Sequence, residues 1–308
     1  MSDVVGIRPK LPTFLARKPD WNQPMPATKL AAMRIAMGVV LLLDVVFLHW
    51  PLRHAFFGPG SMGGHQVFAD RFLAPKWNWS LLRWLPISAD FMIVLWGLAA
   101  LMLIFGVLPR WGATVAWVIA LTLRNENPYL TNSGDNVRMF VLLLLMASPC
   151  GATWAFELRK TSDKLRIVFA REDRRVWSWP LGVIGVQLCV MYCVNGVYKL
   201  TGDQWRTGNV LHWVMENAAW ARFPNFVPDV AAKASSLVVL VWEVGFPFFY
   251  LAKRTRNLVL LVGIAFHLGS GVQLELGLFP LYALCTYAVF VPWEKLVAKY
   301  APGALTPA

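Results

Sequence analysis

Long apolar stretches are the feature that most constrains how this chain can fold. Of its 308 residues 57% are hydrophobic and 15% are charged, whereas soluble domains carry about 25% charged residues. About eight stretches are long enough to cross the hydrocarbon core of a bilayer: 30–49, 87–108, 111–125, 135–153, 177–199, 232–252, 257–272 and 275–292. Because lipid cannot hydrogen-bond an open strand, each stretch is predicted to be helical. The sequence therefore predicts an all-α fold, a polytopic integral membrane helix bundle with about eight transmembrane helices.

The basic residues indicate how this bundle is oriented. A net charge of +12 can indicate nucleic-acid binding, but here Lys and Arg cluster in the connections between apolar stretches. The clusters precede the first stretch, follow the eighth, and lie between the second and third, the fourth and fifth, and the sixth and seventh. The positive-inside rule places this side, and both termini, in the cytoplasm. The bias is incomplete, because the connection after the first stretch carries Arg53, Arg71, Lys76 and Arg83.

The same pattern divides the chain into three parts. Residues 1–28 are predicted to be a basic cytoplasmic N-terminal arm, residues 29–295 a single transmembrane domain, and residues 296–308 a short cytoplasmic tail. We expect a multi-pass protein of the cell membrane, the inner membrane in a bacterium, with the lipid bilayer as its partner and no nucleic acid. The four cysteines lie in apolar surroundings without the spacing of a zinc site, so no metal is expected.

Lys199 ends the fifth apolar stretch. An ammonium group is costly in or near hydrocarbon, and burial favours the neutral amine, which is a base. The alternative interpretation is snorkelling, in which the aliphatic stem lies in lipid and the ammonium reaches the headgroups. Asp203, Trp205 and Arg206 follow directly and are predicted to form a turn.

Glu243 and His267 are predicted to lie at matching depth. Glu243 precedes Lys253, and His267 follows Arg256, by about three helical turns, and the two stretches share that short basic turn. Both side chains then lie roughly 15 Å from the cytoplasmic edge, near the middle of the bilayer. The carboxylate and the imidazole are predicted partners, either as an acid–base pair or as a hydrogen bond that only holds two helices together.

A polar segment joins the third and fourth stretches. The third stretch is short, so Arg124 is predicted to lie below the outer surface, where polar backbone needs protein or a wet cavity around it. The candidates for a buried network there are Arg124, Asn125, Asp135 and Arg138; the alternative is an ordinary exposed loop. Asp44 is a further embedded charge in the first stretch. Together these residues predict one cavity that reaches from mid-membrane toward the non-cytoplasmic face, lined by Lys199, His267, Arg124 and Glu243.

Several motifs occur in the order found in one membrane family. They are Met33–Gly38 with Asp44, Arg124-Asn125, Asn132–Asp135, Ala147–Trp154, Gln187–Gly208, Trp242–Pro247, and His267 with Gly277–Pro280. The most specific is Gly196-x-x-Lys199 followed by Trp205 and Gly208. On these motifs, over residues 28–295, the chain resembles the HTTM domain, the membrane domain shared with vitamin K-dependent gamma-carboxylases.

The resemblance implies a specific chemistry. In the carboxylases a neutral lysine, which corresponds by motif to Lys199, deprotonates a reduced quinone of the vitamin K or menaquinone type. Oxygen then converts the quinone to an epoxide, and the strong base produced lets carbon dioxide add to a glutamate. By this resemblance Lys199 is the catalytic base, and His267 hydrogen-bonds the quinone or an oxyanion. Glu243 orients that histidine, and Arg124 and Arg206 are nearby cations that help keep the lysine neutral.

The sequence also departs from the carboxylases. It ends shortly after the eighth stretch, without the large soluble region with which they hold a protein substrate. A protein or peptide substrate is therefore expected only if another chain delivers it. The carboxylases have a histidine in the region that here reads Asn125-Glu-Asn-Pro-Tyr129, so part of the apparatus that stabilises intermediates is not matched.

Three functions are compatible with the sequence. The favoured one is a quinol- and oxygen-dependent membrane oxidoreductase or carboxylase, with a basic lysine beside a lipid-accessible groove. The second is a non-catalytic protein that binds or transports a quinone, a lipid or a small acid in the same cavity. The third is an accessory membrane subunit whose polar residues only hold helices together, for which Lys199→Ala is expected to destabilise the fold.

Overall fold

The computed structural model describes residues 23–57, 61, 80–161, 164–172, 174–224 and 227–301. Its helices are α1 (Thr28–Asp44, continued by a π-helical turn at Val45–His49), α2 (Arg53–Phe57), α3 (Ala89–Phe105), α4 (Pro109–Glu126), α5 (Ser133–Ala147), α6 (Trp179–Leu200), α7 (Asp203–Arg206), α8 (Val210–Glu216), α9 (Asp229–Leu251), α10 (Arg256–Gln273), α11 (Phe279–Tyr287) and α12 (Trp293–Tyr300). Short 3-10 turns lie at Leu81–Arg83, Pro128–Leu130 and Ala288–Phe290. The strands are β1 (Pro24–Pro26), β2 (Ala155–Thr161), β3 (Lys164–Ala170) and β4 (Arg175–Trp177).

Each of the eight predicted apolar stretches coincides with a helix. Within the described ranges three helices are long and apolar enough to cross a membrane: Thr28–His49, α6 and α9. The helices in the other five stretches, α3, α4, α5, α10 and α11, fall short in length or in hydropathy. The protein is therefore mostly helical with three candidate membrane spans, while eight spans and their orientation stay predictions.

Glycine and proline set helix ends that hydropathy alone does not show. α3 ends before Gly106, whose φ of 70° lies in the left-handed region that glycine tolerates. α5 ends at Ala147 rather than at residue 153, because Ser148 precedes a proline and is extended. The helix of the eighth predicted stretch, α11, begins at Phe279 rather than at residue 275, since Gly277 has a φ of 58°.

Two groups of helices form the bundle, and α11 joins them. In the first group α1 packs on α3, α3 on α4, and α4 on α5; in the second α9 packs on α6 and α10; α11 contacts α1, α5 and α10. Gly38 lets α1 approach α3 closely, since a Cβ there would lie 2.9 Å from the carbonyl oxygen of Ala100. Small residues at close crossings are typical of helix packing in membranes.

The prediction of an all-α fold is wrong in one connection. Between the fourth and fifth predicted stretches, β2 and β3 form an antiparallel hairpin, with Phe156 opposite Phe169 and Leu158 opposite Ile167. β1 pairs antiparallel with β4. Hydropathy over segments of membrane length does not detect a hairpin, whose signal is alternation of apolar and polar residues over strands of 7 residues.

The predicted N-terminal arm and C-terminal tail lie largely outside the described residues. Residues 1–22 and 302–308 are not described, nor are Arg71 and Lys76 of the first connection. The described ends of these segments are ordered elements: β1 and the start of α1 fall within the predicted arm, and α12 reaches into the predicted tail.

Candidate functional site

Lys199 lies in the last turn of α6 and binds a residue of α9. Its Nζ lies 2.7 Å from each carboxylate oxygen of Glu243. The Glu243 side chain is 4% exposed and that of Lys199 is 22% exposed. The indole ring of Trp205, on α7, has its centroid 4.4 Å from Nζ. A buried carboxylate and an aromatic face therefore hold the amino group, which keeps a partly open side.

Gly196 explains why the lysine reaches Glu243. It lies one turn before Lys199, on the same face of α6. A Cβ at this position would lie 2.6 Å from the backbone nitrogen of Val244 and 2.9 Å from the carbonyl carbon of Glu243. The missing side chain lets the backbone of α9 approach, so the Gly196-x-x-Lys199 spacing is a packing requirement of the ion pair.

His267 is 1% exposed on α10 and belongs to a chain of hydrogen bonds. Its Nε2 hydrogen-bonds with the hydroxyl of Tyr192 at 2.7 Å, and this hydroxyl hydrogen-bonds with that of Tyr287 at 2.7 Å. Among the described residues Nδ1 of His267 has no hydrogen-bond partner. The imidazole is thus fixed through one nitrogen and carries an unsatisfied polar atom on the other side.

The predicted pairing of Glu243 with His267 is therefore wrong. Equal depth on α9 and α10, the two helices that share the basic turn, does not make the two side chains partners. α6 lies against α9 and supplies a partner to each residue, Lys199 to Glu243 and Tyr192 to His267.

An apolar groove lies between α9 and α10, with a volume of about 390 Å³. Trp242 lies in its wall, and the rings of Trp242 and Tyr192 have centroids 4.4 Å apart. The groove is therefore one aromatic layer away from the hydrogen bonds of His267. The other residues of the lining are Leu237, Val238, Val241, Phe249, Thr255, Leu258, Val259 and Val262.

A second polar cluster surrounds Asp44. One of its carboxylate oxygens accepts hydrogen bonds from Arg138 at 2.8 Å and from the hydroxyl of Tyr282 at 2.5 Å. The other lies 2.9 Å from Nδ1 of His49. The π-helical turn makes this last contact possible, because it brings residues five apart onto one side of the helix. Arg138 also binds Asp135, which caps α5 by accepting from the backbone of Asn132.

A cavity of about 170 Å³ opens beside the Asp44 cluster. Its polar lining consists of Asp44, His49, Arg124, Thr131, Asn132, Asp135, Arg138 and Tyr282. Of the four residues expected to line one cavity, Arg124 lies in this wall. The other three, Lys199, Glu243 and His267, lie in the first cluster. The expected single cavity is thus replaced by two clusters, with Tyr282 of α11 in one and Tyr287 of α11 in the other.

Two further predicted residues lie apart from both clusters. Arg206 forms an exposed ion pair with Asp203. Asn125 lies near the end of α4 and is not part of the cavity wall. Among the described residues the close partners of Lys199 are Glu243 and Trp205, so the two arginines do not take the place beside the lysine that the resemblance implied.

Sequence reasoning missed His49, Tyr192, Tyr282 and Tyr287. A signal existed for the tyrosines, because a buried tyrosine hydroxyl in an apolar stretch usually needs a hydrogen-bond partner. Tyr192 also lies two turns before Lys199 on the same helix. His49 was hidden, because its spacing from Asp44 is not that of an α-helical face.

Comparison with known proteins places the chain in a family. The HTTM domain model matches residues 22–294, a range that contains both polar clusters. No curated protein matches the chain, and no solved structure does. Since the family model covers far more than half of the sequence, the chain belongs to the HTTM domain family.

Proposed function

We propose that this protein is a membrane-embedded enzyme in which Lys199 is the base toward a reduced quinone, in an oxygen-dependent epoxidation coupled to carbon dioxide addition to an acceptor. The ion pair carries the proposal: an amine lies 2.7 Å from a carboxylate that is only 4% exposed. Membership of a family whose domain is shared with gamma-carboxylase-like membrane proteins supports it.

Glu243 gives the lysine a way to be neutral. Separating two charges in apolar surroundings is costly, so the form with an uncharged amine and a protonated carboxyl competes with the ion pair. When Glu243 holds the proton, Lys199 has a free lone pair and can accept a proton from a bound hydroxyl. The face of Trp205 then stabilises the new ammonium. Glu243 thus replaces the neighbouring cations that the resemblance implied.

The residues present fit a reduced quinone. The groove between α9 and α10 is apolar and suits a hydrocarbon tail. Nδ1 of His267 is a buried polar atom that calls for a partner, and a quinone ring oxygen is a suitable one. When bound, the quinol would supply the acidic hydroxyl and the electrons that reduce oxygen. Tyr192 and Tyr287 hold the imidazole in place, and the apolar walls exclude water.

The test is a turnover assay in lipid discs. Purified protein receives a reduced naphthoquinone and oxygen, and the products are identified by mass spectrometry. We expect quinone epoxide from the wild type and none from Lys199→Met. Lys233→Ala is the matched control, because Lys233 is an exposed lysine on the same helix as Glu243 and should leave turnover unchanged.

A second variant separates lost chemistry from lost folding. Lys199→Met leaves a buried carboxylate without its cation, which alone destabilises the protein. The double variant Lys199→Met/Glu243→Gln has no buried charge at this position and is expected to fold while staying inactive. Absence of epoxide from folded wild-type protein across several quinones would sink the oxygenase proposal, and full activity of the double variant would exclude Lys199 as the base.

The Asp44 cavity favours one alternative function, non-catalytic binding of a small polar ligand. Its wall combines Arg124 with His49, Asn132 and Thr131 around a volume of about 170 Å³. Isothermal titration with small carboxylic acids tests this alternative. Saturable binding that is lost in Arg124→Gln and kept in Lys199→Met would support it, and equal heats from all three proteins would exclude it.

A further inference from the structure

The hairpin β2–β3 carries an apolar face that nothing in the described protein covers. Alternation along both strands places Phe156 and Leu158 on one face, opposite Phe169 and Ile167 of the neighbouring strand. Leu158 is 66% exposed and Ile167 is 73% exposed, and the two phenylalanines are at least 40% exposed. A contiguous exposed patch of large apolar side chains marks an interaction surface.

The opposite face of the hairpin carries a network of ion pairs. Glu157 accepts hydrogen bonds from Arg159 and Arg174 at 2.7 Å, and Glu172 accepts from the same two arginines at 2.7 and 2.9 Å. Two carboxylates and two guanidinium groups thus form a network without net charge. The hairpin is amphipathic, and the four charges of this network are balanced within it.

The hairpin is attached where the bundle already presents exposed apolar surface. Phe156 forms a parallel bridge with Val107, in the turn between α3 and α4, and its backbone nitrogen donates to the carbonyl of Gly106 at 3.0 Å. Next to this turn Leu108 is 61% exposed and Trp111 is 65% exposed. The apolar face of the hairpin therefore adjoins exposed apolar residues of helices in the transmembrane domain.

Exposed arginines accompany the apolar face. Arg171 and Arg175 are exposed, and within the described part of the chain neither has an acidic partner. Arg171 lies 5.9 Å from the ring centroid of Phe169, so one of these cations stands directly beside an apolar side chain. Apolar side chains next to unpaired arginines are the composition of segments that lie in the interface of a membrane with anionic lipid.

We propose that the apolar face of the hairpin lies in the headgroup–acyl boundary of the bilayer, with the unpaired arginines bound to anionic lipid headgroups. The site is independent of the proposed quinol chemistry. It makes the hairpin an anchor at the end of the bundle where Arg34 of α1 binds the carbonyl of Trp154, just before β2. By the positive-inside rule this is the cytoplasmic leaflet, the leaflet that carries anionic lipid.

Spin labels at single cysteines test the proposal in the full chain. The background is Cys189→Ala/Cys193→Ala, which leaves only the two buried native thiols, Cys150 and Cys285. Labels are placed by Leu158→Cys and Ile167→Cys on the apolar face, and by Arg166→Cys on the opposite face of β3 as the matched control. Accessibility to oxygen, which dissolves in lipid, is compared with accessibility to a nickel chelate, which stays in water.

The expected result in vesicles of phosphatidylcholine and phosphatidylglycerol is a reversal between faces. Labels at 158 and 167 should favour oxygen, and the label at 166 should favour nickel. In vesicles of phosphatidylcholine alone the two apolar-face labels should move toward the aqueous phase. Preference for nickel at all three sites would overturn the proposal, as would exclusion of both agents at 158 and 167, which would mean that protein covers the face. No difference between the lipids would overturn the role of anionic headgroups.

Discussion

The two polar clusters use similar residues but differ in how completely they are paired. Asp44 has three partners, Arg138, Tyr282 and His49, and all four residues are less than a tenth exposed. In the part of the chain that the structure describes, Glu243 has a single partner, Lys199, which is 22% exposed. Nearby, and within the same residues, Nδ1 of His267 has no hydrogen-bond partner. The charges of the Asp44 cluster are all paired with one another, although Nε of Arg138 has no hydrogen-bond partner among the described residues. The other cluster has fewer contacts and leaves atoms that a ligand can satisfy.

On this difference we assign a structural role to one cluster and the proposed chemistry to the other. A buried network in which every charge is paired rigidifies the helices that supply it, and the Asp44 cluster ties α1, α5 and α11 together. An ion pair with one open side and an incompletely bonded histidine next to an apolar groove is typical of a reactive site. Both clusters have charged side chains within apolar stretches, so depth in the membrane does not distinguish them. The number of partners that each charge has does distinguish them.

The largest expected effect is on stability, at the Asp44 cluster. Arg138→Met leaves Asp44 and Asp135 buried without a cation, and the free energy of unfolding should fall by about 3–5 kcal/mol. Lys199→Met should cost less, because Glu243 lies beside a partly open position where it can take up a proton. Thermal unfolding of the detergent-solubilised protein measures both.

Arg206→Met is the control for loss of an arginine as such. Its pair with Asp203 is exposed, so the change in free energy should be within about 1 kcal/mol. If Arg138→Met proved no more harmful than Arg206→Met, the Asp44 cluster would not be the structural one, and the contrast between the clusters would fail.

Sequence predicted the parts of this molecule that depend on local composition. Hydropathy located the eight helices that coincide with the predicted stretches, since each needs an apolar surface over many consecutive residues. It also singled out Lys199, Glu243, His267, Asp44 and Arg138, because a charge in an apolar stretch stands out at once. Which charge binds which could not be predicted, because depth along a helix does not give the direction in which a side chain points.

The missed elements have physical causes too. The π-helical turn that joins His49 to Asp44 depends on one extra residue in a helical turn, and the surrounding apolar sequence does not signal it. The hairpin was missed because its strands are short and basic residues hid the alternation that Phe156, Leu158, Ile167 and Phe169 provide.

An intermediate effect is expected where α6 meets α9. Gly196→Ala would place a Cβ 2.6 Å from the backbone nitrogen of Val244, so the two helices must separate. Overpacking of this kind costs about 1–3 kcal/mol, and it should also pull Lys199 away from Glu243 and lower turnover. Unfolding and the epoxide assay are measured on the same preparation.

Gly269→Ala is the matched control, because a Cβ at Gly269 meets nothing within 4 Å. It removes a glycine from a helix without crowding and should be neutral or slightly stabilising, by up to about 1 kcal/mol. Equal behaviour of the two variants would show that close approach at Gly196 is not needed, and the packing explanation of the Gly196-x-x-Lys199 motif would be lost.

The smallest effect is expected in a third set of ion pairs, those of the β2–β3 hairpin. They lie outside the bundle and show how an ion pair behaves when solvent reaches it. Hydrogen bonds from Arg174 and Arg159 lower the pKa of Glu157 from 4.5 to about 2. Because the pKa is lower in the folded protein than in the unfolded chain, the carboxylate stabilises the hairpin at pH values above 4.5, and this contribution is lost as the pH falls through about 2. Isotope-edited infrared titration of the glutamate carboxyl groups should show a component that protonates near pH 2 and disappears in Glu157→Gln. Titration of every hairpin carboxylate near pH 4.5 would mean that solvent breaks these exposed ion pairs. Only buried pairs, such as those of Asp44 and Glu243, would then persist in solution.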